Sequence, residues 1–145
     1  MEPSAEGPGL VMVIGDSEEI IAPPGSATAG STWIEFAVTY QNRSKKSVWI
    51  WGHSPGHVFY DLETRSDEQG KWAAYETGYC GTGARRMEIR PGELHNFTVA
   101  FPERYRGKAF RVLLDCHADT SGQASTRAVS LPQKVTVRKK GNAVN

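Results

Sequence analysis

Residues 72–99, WAAYETGYCGTGARRMEIRPGELHNFTV, are the stretch that decides the fold class. Short runs rich in aromatic and β-branched residues are separated there by a glycine-rich segment at 80–83 and by the turn-forming pair Pro91 and Gly92. Glycine and proline favour turns, whereas β-branched and aromatic residues favour strands. The stretch therefore predicts a strand, a loop, a strand, a tight turn and a further strand, an order typical of antiparallel sheets.

Alternation of apolar and polar residues extends this prediction in both directions. A period of two indicates a strand with one buried face, and it recurs along the chain without a competing helical period. We therefore predict an all-β fold, a sandwich or a small barrel, of about seven to nine short strands. The predicted inward residues are Ile34, Phe36, Val38, Tyr40, Val48, Ile50, Phe97, Val99, Phe101, Phe110, Val112, Leu114 and Cys116.

Length and charge bound the organisation of the chain. Its 145 residues suit one domain, and we predict a flexible N-terminal segment at 1–9, a single sandwich domain at 10–138 and a flexible tail at 139–145. The formal net charge of +1 gives no long-range attraction to nucleic acid or to an anionic membrane surface. No run of about 18 apolar residues is present, so the sequence predicts no transmembrane helix.

Three patches of the sequence carry a resemblance to a known class of proteins. They are residues 40–44 followed by 48–50, residues 70–72 followed by 80–83, and residues 89–93 followed by 97–99 and 107–112. Their order resembles that of bacterial immunoglobulin-like domains in uncharacterised extracytoplasmic proteins and lipoproteins, over residues 32–138. The resemblance implies an immunoglobulin-like antiparallel β-sandwich. The chain is similar, more distantly, to the intracellular proteinase inhibitors with an immunoglobulin-like fold, from which its loop at 80–83 departs.

Two cysteines, Cys80 and Cys116, bear on the cellular compartment. Residues 1–9 lack the basic start and apolar run of a signal peptide and resemble the linker that follows a removed signal or a lipid anchor. We therefore expect a periplasmic, cell-envelope or secreted protein, with a cytoplasmic location as the alternative. In an oxidising compartment the cysteines would form a disulfide that closes a loop of about 35 residues and adds about 3–4 kcal/mol. In the cytoplasm they would be two buried thiols.

Aromatic residues give the strongest sequence signal for binding. If the aliphatic residues of the strand at 48–51 point into the core, both of its tryptophans share the outer face, and an aromatic residue of the next strand lies nearby. Two histidines flank the Ser-Pro-Gly turn between these strands. An exposed aromatic strip can receive a protein partner or stack against a sugar. The predicted binding residues are Trp49, Trp51, Phe59, His53 and His57.

Catalytic and metal-binding arrangements are weakly supported by the sequence. No strand-to-helix setting is predicted that could hold a nucleophilic serine, and residues 81–83 lack the lysine-serine pair of a phosphate-binding loop. His53 and His57 are separated by turn-forming residues, and Cys116 and His117 point to opposite faces of a strand. We therefore predict no catalytic residue, no metal site and no cofactor.

These observations predict a non-enzymatic extracytoplasmic binding or structural module whose partner is a protein or a glycan. Two alternatives stay open. A proteinase-inhibitor-like domain would present residues 53–57 or 78–86 as an extended loop on a rigid scaffold. A carbohydrate-binding module would use the exposed tryptophans as a stacking surface.

Overall fold

The computed structural model describes residues 9–67, 69–76, 82–118 and 125–138. Within these ranges the chain forms eleven strands and one 3₁₀ turn, Glu103–Tyr105, and it has no helix long and apolar enough to cross a membrane. The strands are β1 (Leu10–Ile21), β2 (Thr32–Asn42), β3 (Val48–Ser54), β4 (His57–Val58), β5 (Asp61–Arg65), β6 (Ala73–Tyr75), β7 (Arg85–Ile89), β8 (Leu94–Pro102), β9 (Ala109–His117), β10 (Ser125–Val129) and β11 (Gln133–Lys134).

All strand pairings are antiparallel, and they form two sheets. The smaller sheet has the order β1-β2-β8. The larger sheet has eight strands in the order β4-β3-β9-β5-β6, with β7 paired to β3 and with β10 and β11 paired to β9. The prediction of an antiparallel all-β sandwich is confirmed, although the strands outnumber the predicted seven to nine. The excess over nine comes from β4, of two residues, and from β10, which the alternation pattern does not predict.

The two sheets pack through a shared aromatic core. Phe36 of β2, Phe101 of β8 and Phe110 of β9 are fully buried. The ring centroid of Phe110 lies 4.7 Å from those of both Phe36 and Phe101, so these contacts join the smaller sheet to the larger one. All of the predicted inward residues are buried, which confirms the period-two interpretation of β2, β3, β8 and β9.

Strand β1 is longer than the sequence predicts. The apolar run at 10–14 predicts a short edge strand, but β1 continues well past it along β2. A register shift between Ile14 and Ser17 breaks the alternation, which is why the pattern hides the second half of the strand. At this bulge the Ser17 N–H donates to the Arg138 carbonyl over 2.7 Å, and Ser17 Oγ donates to the Thr136 carbonyl over 2.6 Å. The C-terminal segment thus covers part of the edge of β1.

The last predicted strand is shorter than expected. Leu131, Val135 and Val137 were expected on one strand, but only Gln133–Lys134 pairs with β9. Val135 is buried, whereas Leu131 and Val137 are exposed. Pro132 has no N–H to donate to a neighbouring strand, which limits the pairing on its side.

The turn at Pro91 and Gly92 connects the two sheets. Gly92 has a φ of +84°, a conformation that favours glycine. The Glu93 N–H donates to the Arg90 carbonyl over 3.0 Å, and the Gly92 N–H donates to the carbonyl of the buried Asn42 over 2.7 Å. The predicted turn is therefore confirmed, and it links β7 of the larger sheet to β8 of the smaller one.

Candidate binding face

Strand β3 places its tryptophans on the outer face of the larger sheet. Val48 and Ile50 are buried, Trp49 is half-buried and Trp51 is 38% exposed. Among the described residues, six large apolar side chains are exposed, and Trp51 is the aromatic one. Because neighbouring residues of a strand point to opposite faces, this burial pattern sets Trp51 outward, as the sequence predicts.

Gly52 brings strand β4 close to β3 immediately after Trp51. Gly52 pairs with Val58 of β4 and with Arg85 of β7, so these two strands flank it on opposite sides. A Cβ atom at this position would lie 2.7 Å from the His57 carbonyl oxygen and 2.8 Å from the Val58 Cα. Such distances are too short for any side chain, so the close approach depends on glycine.

Trp51 and Phe59 border a cavity in this outer face. The Phe59 N–H donates to the Trp51 carbonyl oxygen over 2.9 Å, which holds the two residues side by side. Tyr60 stacks on the buried Phe97 with 5.3 Å between ring centroids, which anchors the Tyr60 ring to the core. The cavity has a volume of about 260 Å³ and is lined by Trp51, Phe59, Tyr60, Asp61 and Asp115. Three aromatic residues and two aspartates thus line one site, called here the Trp51 cavity.

One guanidinium group links the two carboxylates of the Trp51 cavity. Arg127 of β10 lies opposite Asp115 of β9 in the strand register. Arg127 Nε donates to Asp115 Oδ1 over 2.8 Å, and Arg127 Nη2 donates to Asp61 Oδ2 over 2.7 Å. The hydrogen bond to Asp115 and the charges of the nearby carboxylates raise the pKa of Arg127. One positive and two negative groups leave this triad with a net charge of −1.

A second tryptophan on the same sheet is surrounded by the chain's own cations. The guanidinium carbons of Arg65 and Arg111 each lie 4.3 Å from the ring centroid of Trp72. Arg111 also pairs with Glu63 over 2.7 Å. These four residues are called here the Trp72 cluster. It combines an aromatic ring, a carboxylate and two cations, so the outer face holds cation–π contacts within the protein itself.

The histidine-bearing segment 53–57 forms a hairpin beside the Trp51 cavity. His53 is exposed, and its ring packs edge-on against Phe59 with 5.3 Å between ring centroids. The Tyr40 hydroxyl donates to the Pro55 carbonyl over 2.8 Å and holds the tip of the hairpin against β2. The inhibitor alternative expects an extended loop at 53–57, and the structure has a closed hairpin there.

Residues 52–56 read Gly-His-Ser-Pro-Gly, the spacing of the nucleophile motif of α/β-hydrolases. Ser54 Oγ lies 3.0 Å from His57 Nδ1. That motif needs a turn from a strand into a helix, whereas Ser54 ends β3 in a hairpin. In the part of the chain that the structure describes, no carboxylate bonds to the His57 ring as the third member of a triad. The pair therefore connects the two arms of the hairpin.

The structure brings together only some of the predicted binding residues. Trp51 and Phe59 border the Trp51 cavity, and His53 contacts Phe59. His57 bonds to Ser54 instead, and neither His57 nor Trp49 is among the described residues that line the cavity. Trp49 lies on the same outer face, paired with Glu88 and His117 in the strand register. The residues that the sequence did not single out are Tyr60, Asp61, Asp115 and Arg127.

The alternation of β9 carried a usable signal for one of these residues. It assigns Asp115 to the outer face of the sheet, opposite the buried Leu114 and Cys116. Arg127 had no such signal, because the alternation pattern does not predict β10. The pairing of Asp61 with Arg127 depends on the order of strands in the sheet, which the sequence pattern does not determine.

Cys116 is a buried thiol on the inner face of β9. Its Sγ donates weakly to the Leu114 carbonyl at 3.5 Å, and it is free in the structure. Burial raises the pKa of Cys116 to about 12, so the thiol is protonated at neutral pH. Cys80 lies outside the described residues, and its pairing with Cys116 stays a prediction.

Three of the four histidines, His53, His57 and His95, contact other side chains, whereas His117 Nδ1 is buried without a hydrogen-bond partner among the described residues. His95 Nε2 lies 2.9 Å from Glu93 Oε2, in the connection between β7 and β8. Within the described ranges, no three His, Cys, Asp or Glu side chains are grouped so that they could hold a metal ion.

Fold and site together define an antiparallel two-sheet protein with an aromatic and charged outer face. Comparisons with known proteins bear on the fold. No family model and no curated protein matches the chain. It is similar to the solved structure of a candidate ApaA protein from Bordetella pertussis, with a TM-score of 0.57 and 12% identity over 94% of this chain and 97% of that one. It is also similar to the structural genomics target SoR45, with a TM-score of 0.56 and 12% identity over 89% of this chain and 87% of that one. At such identity the likeness shows a common fold alone.

Proposed function

We propose that this protein is a non-enzymatic binding module that receives a protein partner on the outer face of its larger sheet, at the Trp51 cavity. The observation that carries the proposal is the cavity itself, which is lined by an exposed tryptophan, two further aromatic residues and two aspartates. Tryptophan, tyrosine and arginine are the residues from which protein interfaces draw most of their affinity.

The rigid setting of the cavity supports the same proposal. Phe59 is fixed to β3 by its backbone hydrogen bond, Tyr60 is stacked on the core, and Arg127 holds Asp61 and Asp115 in place. A site that is already ordered loses little conformational entropy when a ligand binds. The cavity therefore suits recognition without a large rearrangement of the sheet.

A glycan is the second candidate ligand, because the same residues offer a ring for stacking and polar groups for sugar hydroxyls. Arg127 supplies donors, and the two carboxylates supply acceptors. We favour a protein partner, since the aromatic residues line a cavity and the Tyr60 ring stacks on the core instead of extending an open platform.

Binding to defined peptide and glycan arrays tests the proposed function. The wild-type protein, Trp51→Ala and the control Trp33→Ala are compared, because Trp33 lies on the smaller sheet and its indole donates to Ser31 Oγ over 2.9 Å. We expect peptide binding that Trp51→Ala loses and Trp33→Ala keeps. Binding that survives Trp51→Ala contradicts this site, and Trp51-dependent binding to the glycan array alone replaces the protein partner by a sugar.

The non-enzymatic part of the proposal has its own test at Ser54. A fluorophosphonate probe labels serines that a neighbouring base has activated. We expect no adduct at Ser54, because its histidine partner has no described carboxylate to orient it. An adduct on Ser54 that His57→Ala abolishes would show an activated nucleophile and overturn this part of the proposal.

The compartment belongs to the same proposal. We place the module outside the cytoplasm, as in the bacterial immunoglobulin-like domains of extracytoplasmic proteins and lipoproteins, with Cys80 and Cys116 joined in a disulfide. The even number of cysteines and the position of Cys116 at the core support it. Intact mass of the denatured protein from its native source, before and after reduction, should differ by two hydrogen atoms. An unchanged mass contradicts the disulfide.

A further inference from the structure

The Trp51 cavity has the composition of a site for a positively charged group. The faces of aromatic rings attract cations, and the effect is strongest for tryptophan. Three aromatic residues, Trp51, Phe59 and Tyr60, line this cavity together with Asp61 and Asp115, and of the three the Tyr60 ring stacks on Phe97 of the core. An anionic ligand would face both carboxylates, which repel it.

The carboxylates of the cavity exceed by one the charge of the Arg127 cation that binds them. Arg127 uses Asp115 Oδ1 and Asp61 Oδ2, and the second oxygen of each carboxylate has no hydrogen-bond partner among the described residues. Arg86 lies 5.2 Å from the Trp51 ring centroid, but it belongs to β7, on the side of β3 opposite to Phe59. Among the described residues the two carboxylates therefore keep acceptor oxygens that an incoming ammonium group, with its three donors, can satisfy.

The Trp72 cluster on the same sheet shows what fits such a setting. There, two guanidinium groups lie 4.3 Å from a tryptophan ring, and one of them pairs with a carboxylate. The Trp51 cavity also combines a tryptophan with carboxylates, two in place of one, and it encloses a space of about 260 Å³. That volume is slightly below the usual range of about 300–1,000 Å³ for small-molecule sites, so it suits one side-chain end better than a whole metabolite.

We infer that the Trp51 cavity recognises an alkylammonium group, as carried by a lysine side chain of the partner. The inference rests on the proposed function and names the chemical group that the binding face takes. The ammonium group lies against the rings and donates to the free oxygens of Asp61 and Asp115.

NMR titration of the whole protein with small probes tests this inference. The probes are Nα-acetyl-lysine methylamide, the matching 2-aminoheptanoic acid derivative, in which a methyl group replaces the ammonium, and choline. The indole N–H signal of Trp51, assigned with Trp51→Phe, reports binding. We expect the lysine probe to bind about tenfold more tightly than its neutral counterpart, as a desolvated cation–π contact allows.

Each other result of the titration overturns the inference in a defined way. Equal affinities for the charged and neutral probes mean an apolar cavity, and choline binding more tightly than lysine means a small quaternary ammonium ligand. The absence of any shift at Trp51 also overturns it. In all three cases the proposed binding module survives if the peptide array shows binding that depends on Trp51, so the two failures are distinguishable.

Matched variants locate the recognition. Asp61→Asn and Asp115→Asn keep the shape of each side chain, and each should weaken the lysine probe severalfold while leaving the neutral probe unchanged. Trp51→Leu should remove the preference for charge, whereas Trp33→Leu should keep it. Melting curves show whether each variant is folded. Unchanged lysine affinity in both folded asparagine variants contradicts the role of the carboxylates.

Discussion

The Trp72 cluster and the Trp51 cavity are two versions of one arrangement on the same sheet face. At Trp72 the chain supplies the cations, since Arg65 and Arg111 both reach the ring and Arg111 pairs with Glu63. At Trp51 the guanidinium of Arg86 lies 5.2 Å from the ring centroid and that of Arg127 binds one oxygen of each carboxylate, but a cavity of about 260 Å³ remains. The sheet packing completes the first arrangement, and we infer that a ligand completes the second.

Strand register explains the difference between the two sites. Glu63 of β5 lies directly opposite Arg111 of β9, so opposite charges pair across the ladder. Two residues before Glu63, Asp61 lies opposite Leu113, and its cation has to come from β10. Arg127 lies directly opposite Asp115 and also reaches Asp61, so one cation is shared by two carboxylates at the Trp51 cavity.

Loss of the core contact that joins the sheets should break both sites at once and has the largest expected effect. Phe110→Ala removes a fully buried ring that touches Phe36 and Phe101. We expect it to lower the free energy of unfolding by about 3–5 kcal/mol, measured by urea denaturation. The control Val13→Ala, at a half-exposed position on β1, should change it by less than about 0.5 kcal/mol. A loss near 1 kcal/mol for Phe110→Ala would mean that this ring does not join the sheets.

The alternation of the sequence predicted the inner faces of these sheets better than it predicted the site. Phe36, Val99 and Phe110 were all assigned inward, because a period of two is a local property of each strand. The Trp51 cavity also needs Asp61 and Arg127, which meet only through the order β3-β9-β5 and the pairing of β10 with β9. That order depends on packing between distant strands. The sequence therefore predicted two of the five lining residues, Trp51 and Phe59.

A side chain at Gly52 should break the Trp51 cavity and spare the Trp72 cluster. In Gly52→Ala the added Cβ meets the backbone of β4 at 2.7–2.8 Å, so β4 has to shift. We expect a loss of about 1–3 kcal/mol in the free energy of unfolding. NMR shifts should move at the Trp51 indole and stay in place at the Trp72 indole.

Gly56→Ala is the matched control for this variant. Its added Cβ would lie 3.6 Å from the Asn96 carbonyl oxygen, an ordinary contact. We expect this change to cost little and to leave the Trp51 signal in place. Equal effects of the two substitutions would contradict the close approach of β4 to β3 as the cause.

Glu93 should affect the connection between the sheets and neither tryptophan site. Its carboxylate accepts from the Arg90 N–H over 2.6 Å and contacts His95, and these bonds lower the pKa of Glu93 from its usual 4.5. A lowered pKa in the folded state means that this stabilisation is fully present above pH 4.5 and is lost as the pH falls through the folded pKa. Since a third of the side chain is exposed, Glu93→Gln should cost less than about 1 kcal/mol at neutral pH.

Denaturation of the wild type and Glu93→Gln across acidic pH checks this prediction. The difference in unfolding free energy between the two proteins should shrink as the pH falls below 4.5. A difference that stays constant with pH would contradict the role of the Glu93 charge. The Trp51 and Trp72 indole signals should match in the two proteins at neutral pH.

Removal of Arg127 gives the smallest change in stability and the sharpest test of the comparison. Arg127→Gln deletes the cation that pairs with Asp61 and Asp115. Because all three side chains are about half exposed, the free energy of unfolding should fall by less than about 1 kcal/mol. The cavity then carries two uncompensated carboxylates, and a lysine ammonium near them gains about 1 kcal/mol in water-like surroundings, about a fivefold tighter binding. A glycan that needs the Arg127 donors would instead bind less tightly. NMR titration with Nα-acetyl-lysine methylamide therefore separates the two ligands by the sign of the change, and weaker binding of this probe would contradict the view that a cation completes the Trp51 cavity.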